Sequence, residues 1–309
     1  MRFVIYGTGG VGGYFGARLA EAGEDVAFIA RGEHLRAMRD KGLRVASVNG
    51  DFVVSSPEVS DDPASLEHAD CIVLAVKTWQ IEDALAAMRP LVGADTVILP
   101  LENGVEALDL ITAAYGGEHA LGGLCKILAW RQAPGEIVHG GVDPVICLGE
   151  RDNQRSARLD AISAALARAA GITVQVPDDI QAAIWSKFLF ICAMSGIGSI
   201  TRMPIGATRS DPACRQMIVA ILEEIEQVAA ARGVALGAQA IDKAVQFIDA
   251  LPAAGTASMQ RDIEAGRPSE LASQTGAVVR LGREHGVETP VNAFIHTALA
   301  VPEAHARTA

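Results

Sequence analysis

Over the first half of the chain, short apolar runs rich in β-branched residues alternate with longer segments of helical period. RFVIY (2–6), DVAFIA (25–30), CIVLAV (71–76) and TVILP (96–100) are the strand-like runs, and Val11–Ala22 and Ile81–Leu91 are helical. That alternation predicts a parallel sheet with helices on both faces. Between Leu121 and Val176 the runs LGGLCKIL, GEIVH, PVICLG and ITVQV are broken by Gly, Pro and Asp around one helical segment, Ala157–Ala170. They predict further strands, some antiparallel, on one edge of that sheet. Beyond Pro177 the period becomes helical almost throughout, with Asp178 or Asp179 available as an N-cap. Helices are expected at about 179–200, 211–232, 237–250, 256–266 and 269–285, with a short one near 290 and a frayed tail, EAHARTA. The expected fold class is α/β: a doubly wound sheet over residues 1–177, then an all-helical domain over 178–309.

Composition narrows the function classes. Half of the 309 residues are hydrophobic and 20% are charged, a globular balance. The formal net charge of -11 argues against a nucleic-acid binder, whose phosphate contacts need a surplus of Lys and Arg. The cysteines (Cys71, Cys125, Cys147, Cys192, Cys214) form neither a CxxC pair nor a metal-ligand spacing, and read as inert thiols of a reducing cytoplasm. Met1 runs directly into RFVIY without a signal pattern. The longest apolar stretch, Phe188 to Ile200, is shorter than the roughly 20 residues a membrane span needs. A soluble cytoplasmic protein with no metal, no membrane and no nucleic-acid partner is expected.

The first chemical signal is Gly7-Thr8-Gly9-Gly10-Val11-Gly12, a GxGxxG motif that follows a strand and opens a helix. Its glycines serve a tight turn, close approach of backbone to a pyrophosphate, and close packing of helix on strand. The helix N-terminus supplies free N–H groups and the positive end of its dipole. The second strand ends at Ala30, and Arg31 follows. An NAD site usually places Asp or Glu there for the ribose 2′-hydroxyl, whereas Arg suits a 2′-phosphate, so NADP is favoured. Glu33 is close enough to keep NAD open.

The second signal is Lys187, within AAIWSKFLFICAM (182–194). Its helical neighbours Ala183, Phe190 and Ile191 offer no polar company. An ammonium there must snorkel, pair with a carboxylate, or line a cleft. Desolvation favours proton release, which suits an acid catalyst.

Together with GTGGVG and Arg31, the segments Val76-Lys77-Thr78-Trp79-Gln80, Glu102-Asn103-Gly104, Trp185-Ser186-Lys187 and Ser258-Met259, with Asp262 and Glu270, make the sequence resemble the ketopantoate reductase family over nearly its whole length. The resemblance implies a Rossmann-type domain, a helical second domain, and a cleft between them for NADPH and a 2-oxo acid. Gly7 to Gly12 would hold the pyrophosphate, with Arg31 and Lys77 also on the cofactor. Asn103 would touch both nicotinamide and substrate, and Ser258 the substrate carboxylate. Lys187 would be the general acid for the alkoxide that forms as hydride reaches the ketone carbon. Glu270 would lie between Lys187 and the cofactor and orient the lysine.

The match breaks at four positions. The family pattern places asparagines one and two turns beyond the lysine, where this chain has Ile191 and Ser195; two others fall at Ile205 and Gly255. Each hydrogen bond lost to a strongly polar ligand costs about 1.5–3 kcal/mol. A more apolar pocket is therefore expected, roomier at Gly255, with Ser195 still able to donate, suited to a branched or aromatic 2-oxo acid. Two alternatives stand: an NAD-linked D-2-hydroxyacid dehydrogenase, and a non-catalytic NADP sensor. Apolar helical stretches such as Met217–Ala231 could be core or the contact of a homodimer through the helical domain.

Overall fold

The computed structural model describes residues 1–308. It separates into two compact units, residues 1–102 with 106–180, and residues 103–105 with the chain from Gln181 onward. In the first, β1 (Arg2–Tyr6) leads through α1 (Gly10–Glu21) to β2 (Asp25–Ile29) and α2 (Gly32–Lys41). Strands β3 (Leu43–Ser47), β4 (Phe52–Val54), β5 (Glu58–Ser60) and β6 (Cys71–Leu74) follow, then α3 (Ile81–Ala87), β7 (Val97–Pro100) and α4 (Ala107–Tyr115). The unit ends with β8 (Gly122–Lys126), β9 (Ala129–Ala133), β10 (Glu136–His139), β11 (Val145–Gly149), α5 (Ala157–Arg168) and β12 (Thr173–Gln175).

The central sheet is parallel, in the order β5-β2-β1-β6-β7. Alternate residues of β1 serve opposite faces: Phe3 and Ile5 pack with Tyr14, Phe15 and Phe28, while Val4 and Tyr6 pack with Ile29, Ile72 and Met88. Because β1 lies between β2 and β6, the chain leaves it in one direction and later returns on the other side. The carboxyl end of β1 is thus the switch point where α/β sheets bind ligands.

The later strands depart from expectation. They do not all extend one edge of the central sheet. β8, β11 and β12 form a three-stranded sheet that meets β7 through a single bridge, Ile98 to Ala120. β9 and β10 instead join β3 and β4 in a separate four-stranded sheet. Strands β3, β4 and β5 escaped notice because they are short and carry polar or exposed residues, without a clean apolar alternation.

This second sheet explains the glycine content of α1. A Cβ on Gly16 would lie 2.5 Å from Ile5 and 2.6 Å from Phe28 of the central sheet. On the opposite side, a Cβ on Gly10 would lie 2.4 Å from the Ala129 carbonyl, and one on Gly13 2.8 Å from Ile137. The helix is squeezed between two sheets, and only glycine clears both.

The second unit is helical: α6 (Ile180–Thr201), α7 (Ile205–Ser210), α8 (Pro212–Ala231), α9 (Ala240–Ala250), α10 (Ser258–Glu264), α11 (Thr275–His285) and α12 (Pro290–Thr308). By length and composition α6, at 22 residues, could cross a bilayer; 61% of its most apolar window is buried within the protein, as in a core helix. Trp185 and Phe188 pack edge to face at 5.5 Å in that core. In α8, Ile218, Ile221, Leu222, Ile225, Val228 and Ala229 are buried too and belong to the core, while Met217, Val219 and Ala220 are half-buried.

Two helical expectations are corrected. The last helix is 19 residues long, and the tail expected to fray is helical through Thr308. Its stability comes from Glu303 and Arg307, which bind Ser269. The segment from 269 is not yet helix: Glu270 to Gln274 form turns, and α11 starts at Thr275.

Candidate active site

The glycine turn at the end of β1 is built to receive an anion. Gly7 adopts φ +103°, and a Cβ there would lie 2.7 Å from the Ala75 carbonyl. A Cβ on Gly12 would lie 2.2 Å from the Gly7 carbonyl, so helix and turn touch backbone to backbone. Gly9, the N-cap, faces open space, where a Cβ would meet nothing within 4 Å. No side chain caps α1, and no acid occupies its first turn. The leading N–H groups lack intrahelical acceptors by geometry, and the Gly9 carbonyl takes the Gly13 N–H at 2.8 Å. Thr8 is buried, its hydroxyl donating to the Ile29 carbonyl at 2.9 Å, which pins the turn to the end of β2. This open, uncapped cradle fits a pyrophosphate.

Arg31 is exposed and serves as the N-cap residue of α2. Burial pushes the Tyr6 phenol above its ordinary pKa, and the Arg31 guanidinium beside it acts in the opposite direction. Glu33, also exposed, lies 3.9 Å from Arg36. Lys77 opens the turn after β6, with its ammonium 5.7 Å from the centre of the Trp79 ring. Glu102, to which the sequence assigned no role of its own, is buried and accepts the Val76 N–H at 3.2 Å, tying the ends of β6 and β7 together.

In the second unit, Asn103 and Glu270 come together. The Asn103 amide donates to Glu270 Oε2 at 3.0 Å, and Gln274 donates to the same oxygen at 3.4 Å. Glu270 is buried and Gln274 fully so. Gln274 was missed by sequence; its one signal is the i+4 spacing from Glu270.

Lys187 lies half-buried on α6, as do Ala183, Phe190 and Ile191 on the same face, so that face is neither sealed nor fully wet. Among the described residues its ammonium makes no hydrogen bond or ion pair, and Glu270 turns to amides instead. Pairing of Lys187 with a carboxylate, one option left by the sequence, is therefore not realised.

Ser195 is 1% exposed, and its hydroxyl has no partner among the described residues. Ser258 is exposed, at the first position of α10. The expectation of extra room at Gly255 is overturned. Ile205 is buried against it, with the Ile205 N–H donating to the Gly255 carbonyl at 2.9 Å. A Cβ on Gly255 would lie 3.0 Å from the Pro252 carbonyl, 3.4 Å from Ile205 and 3.7 Å from Met194. The large Ile205 side chain consumes the space that the small residue leaves.

A glycine turn at a sheet switch point, leading into an uncapped helix, defines a dinucleotide-binding protein of the Rossmann type. The helical unit adds a lysine on a half-open apolar face and a buried carboxylate–carboxamide pair. Residues 3–153 match the family described as "Ketopantoate reductase PanE/ApbA", and residues 179–303 match its C-terminal part. The chain belongs to the ketopantoate reductase family.

Among its relatives, the 2-dehydropantoate 2-reductase of Archaeoglobus fulgidus is 30% identical over 293 residues, 94% of each chain. A PanE/ApbA family ketopantoate reductase from Ralstonia eutropha superposes with a TM-score of 0.91 at 26% identity, covering 99% of this chain and 100% of that one. A D-mandelate dehydrogenase, in a ternary structure with NADH and anilino(oxo)acetate, shares the fold at a TM-score of 0.90 and 24% identity, with 99% of both chains covered.

Proposed function

We propose that this protein is an NADPH-dependent reductase of 2-oxo acids, with ketopantoate or a related branched or aromatic 2-oxo acid as substrate and Lys187 as general acid. The observation that carries the reading is Lys187 itself, an ammonium without a hydrogen-bond or ion-pair partner among the described residues, on a half-open apolar helix face in a chain of this family. NADPH, when bound, supplies the hydride. Gly7, Thr8, Gly9, Gly10, Val11 and Gly12 hold its pyrophosphate, and Arg31 with Lys77 takes the adenosine end and its 2′-phosphate. Asn103 directs its amide toward nicotinamide and substrate, and Glu270 fixes that amide. Ser258 takes the substrate carboxylate. Lys187 stabilises charge on the carbonyl oxygen and delivers the proton that completes the alcohol.

Ile191 supports an apolar pocket wall, and Ser195 offers one hydroxyl where a carboxamide would offer more. Since Gly255 adds no room, polarity rather than size is the basis for a relaxed preference. Steady-state kcat/KM with NADPH for ketopantoate, 2-oxoisovalerate, 2-oxoisocaproate and benzoylformate tests this. Values within about tenfold of one another are expected; a lead of a hundredfold for ketopantoate overturns the relaxed pocket and leaves the polar substrate in place.

A second reading, an NAD-linked D-2-hydroxyacid dehydrogenase, is favoured by the same apolar Ile191 and by Glu33 beside Arg31. KM for NADPH against NADH separates the two. Arg31→Ala raises KM for NADPH about tenfold or more and leaves NADH nearly unchanged if Arg31 reads the 2′-phosphate.

A further inference from the structure

Besides Glu270, the helical unit buries two carboxylates, Glu224 and Glu303, that the proposed chemistry does not use. Glu303, near the end of α12, is 8% exposed. Its two oxygens each accept the Ser269 N–H at 3.1 Å, and Oε2 also takes the Ser269 hydroxyl at 2.5 Å. One turn on, Arg307 pairs with Glu303 at 2.7 Å and donates to the Ser269 carbonyl at 3.0 Å. Ser269 is fully buried, and its hydroxyl also accepts the Leu271 N–H at 3.3 Å. α12 therefore holds the N–H, the carbonyl and the side chain of one residue. The next residue is Glu270, whose carboxylate accepts from Asn103.

Peptide groups are planar, so fixing the Ser269 carbonyl also fixes the N–H of Glu270 and narrows where its side chain can point. A buried carboxylate is costly unless fully paired, and a generic tail anchor could be made from apolar residues instead. This one spends its hydrogen bonds on the residue next to Glu270.

We infer that Glu303, backed by Arg307, is a positioning residue: it locks Ser269 so that the Glu270 carboxylate stays on Asn103 during reduction. The inference rests on reading Glu270 and Asn103 as part of a 2-oxo acid reductase. A tie that merely anchored the tail would act on stability and on every step alike, whereas a positioning residue acts through Glu270.

The test is a double-mutant cycle in kcat for NADPH-dependent reduction of a 2-oxo acid that the wild type turns over. It compares wild type, Glu303→Gln, Glu270→Gln and the double variant. Glu303→Gln should lower kcat about tenfold or more in the wild-type background and less than about twofold in the Glu270→Gln background, with KM for NADPH within about twofold. Ser269→Ala, which removes only the hydroxyl arm, should show the same dependence on Glu270 to a smaller degree. It keeps the question open to test should Glu303→Gln fail to fold. Equal losses in both backgrounds, or an unchanged kcat in Glu303→Gln, overturn the positioning role. A wild type inactive on every 2-oxo acid instead overturns the reductase reading beneath it, whereas a fully active Glu270→Gln leaves that reading in place and overturns the role of Glu270, and the positioning role with it.

Discussion

His34 shows how a residue outside the expected site can be tied to it. Its Nδ1 accepts the Gly135 N–H at 2.9 Å, which places the proton of the neutral ring on Nε2. The ring is 4% exposed and lies three residues after Arg31. Burial and then the nearby Arg131 push its pKa below 6.5, while the Thr8 backbone acts the other way. With the folded pKa depressed, the unfolded chain binds more protons. The contribution to stability is complete above about pH 6.5 and is lost as pH falls through the folded value. His34→Asn keeps an acceptor for Gly135 but cannot titrate. Its Tm should fall less between about pH 7 and pH 5 than that of the wild type. Parallel Tm curves would remove His34 from the acid response and leave it to other groups, such as His296, whose pKa burial also lowers. No sequence pattern distinguished His34 from any surface histidine, because its burial depends on the hairpin turn that contributes Gly135.

At the scale of elements, α12 was the helix least visible in sequence, and its ends explain why. Its start is capped from another helix: Glu224 of α8 accepts the Val291 N–H at 2.7 Å, the Asn292 N–H at 2.9 Å and the Asn292 amide at 2.6 Å. Its last turns are held by Ser269, and Pro302 interrupts its interior. None of these supports is local, so propensity alone pointed to a short helix and a loose tail. Glu224→Ala would leave buried donors unsatisfied at the N-terminus of α12. It should cost about 2–4 kcal/mol in urea unfolding, and a loss below about 1 kcal/mol would mean that solvent replaces the cap. α1 was legible for the opposite reason: its start is written into consecutive residues, Gly7 to Gly12. The packing behind Gly10 and Gly13 was not, because Ala129 and Ile137 lie more than a hundred residues away.

For the whole molecule, the two units divide the proposed work. The glycine cradle and Arg31 belong to the first, and Lys187, Asn103 and Glu270 to the second. Lys187→Ala should therefore lower kcat at least about a hundredfold while NADPH affinity, read by fluorescence titration, stays within about twofold. Full turnover in that variant would remove Lys187 as the acid, and parallel losses of turnover and affinity would assign it to cofactor binding. The alternation of strand and helix, the switch to helices and the dinucleotide turn were readable because each rests on spacing along the chain: period 2, period 3.6, and glycines at fixed offsets. Contacts between distant residues set the rest. Packing alone put Asn103 against Glu270, filled the space at Gly255 with Ile205, paired β10 with β3, and turned Glu303 onto Ser269. Periodicity records which face a residue occupies, but it does not record which face of another element lies opposite.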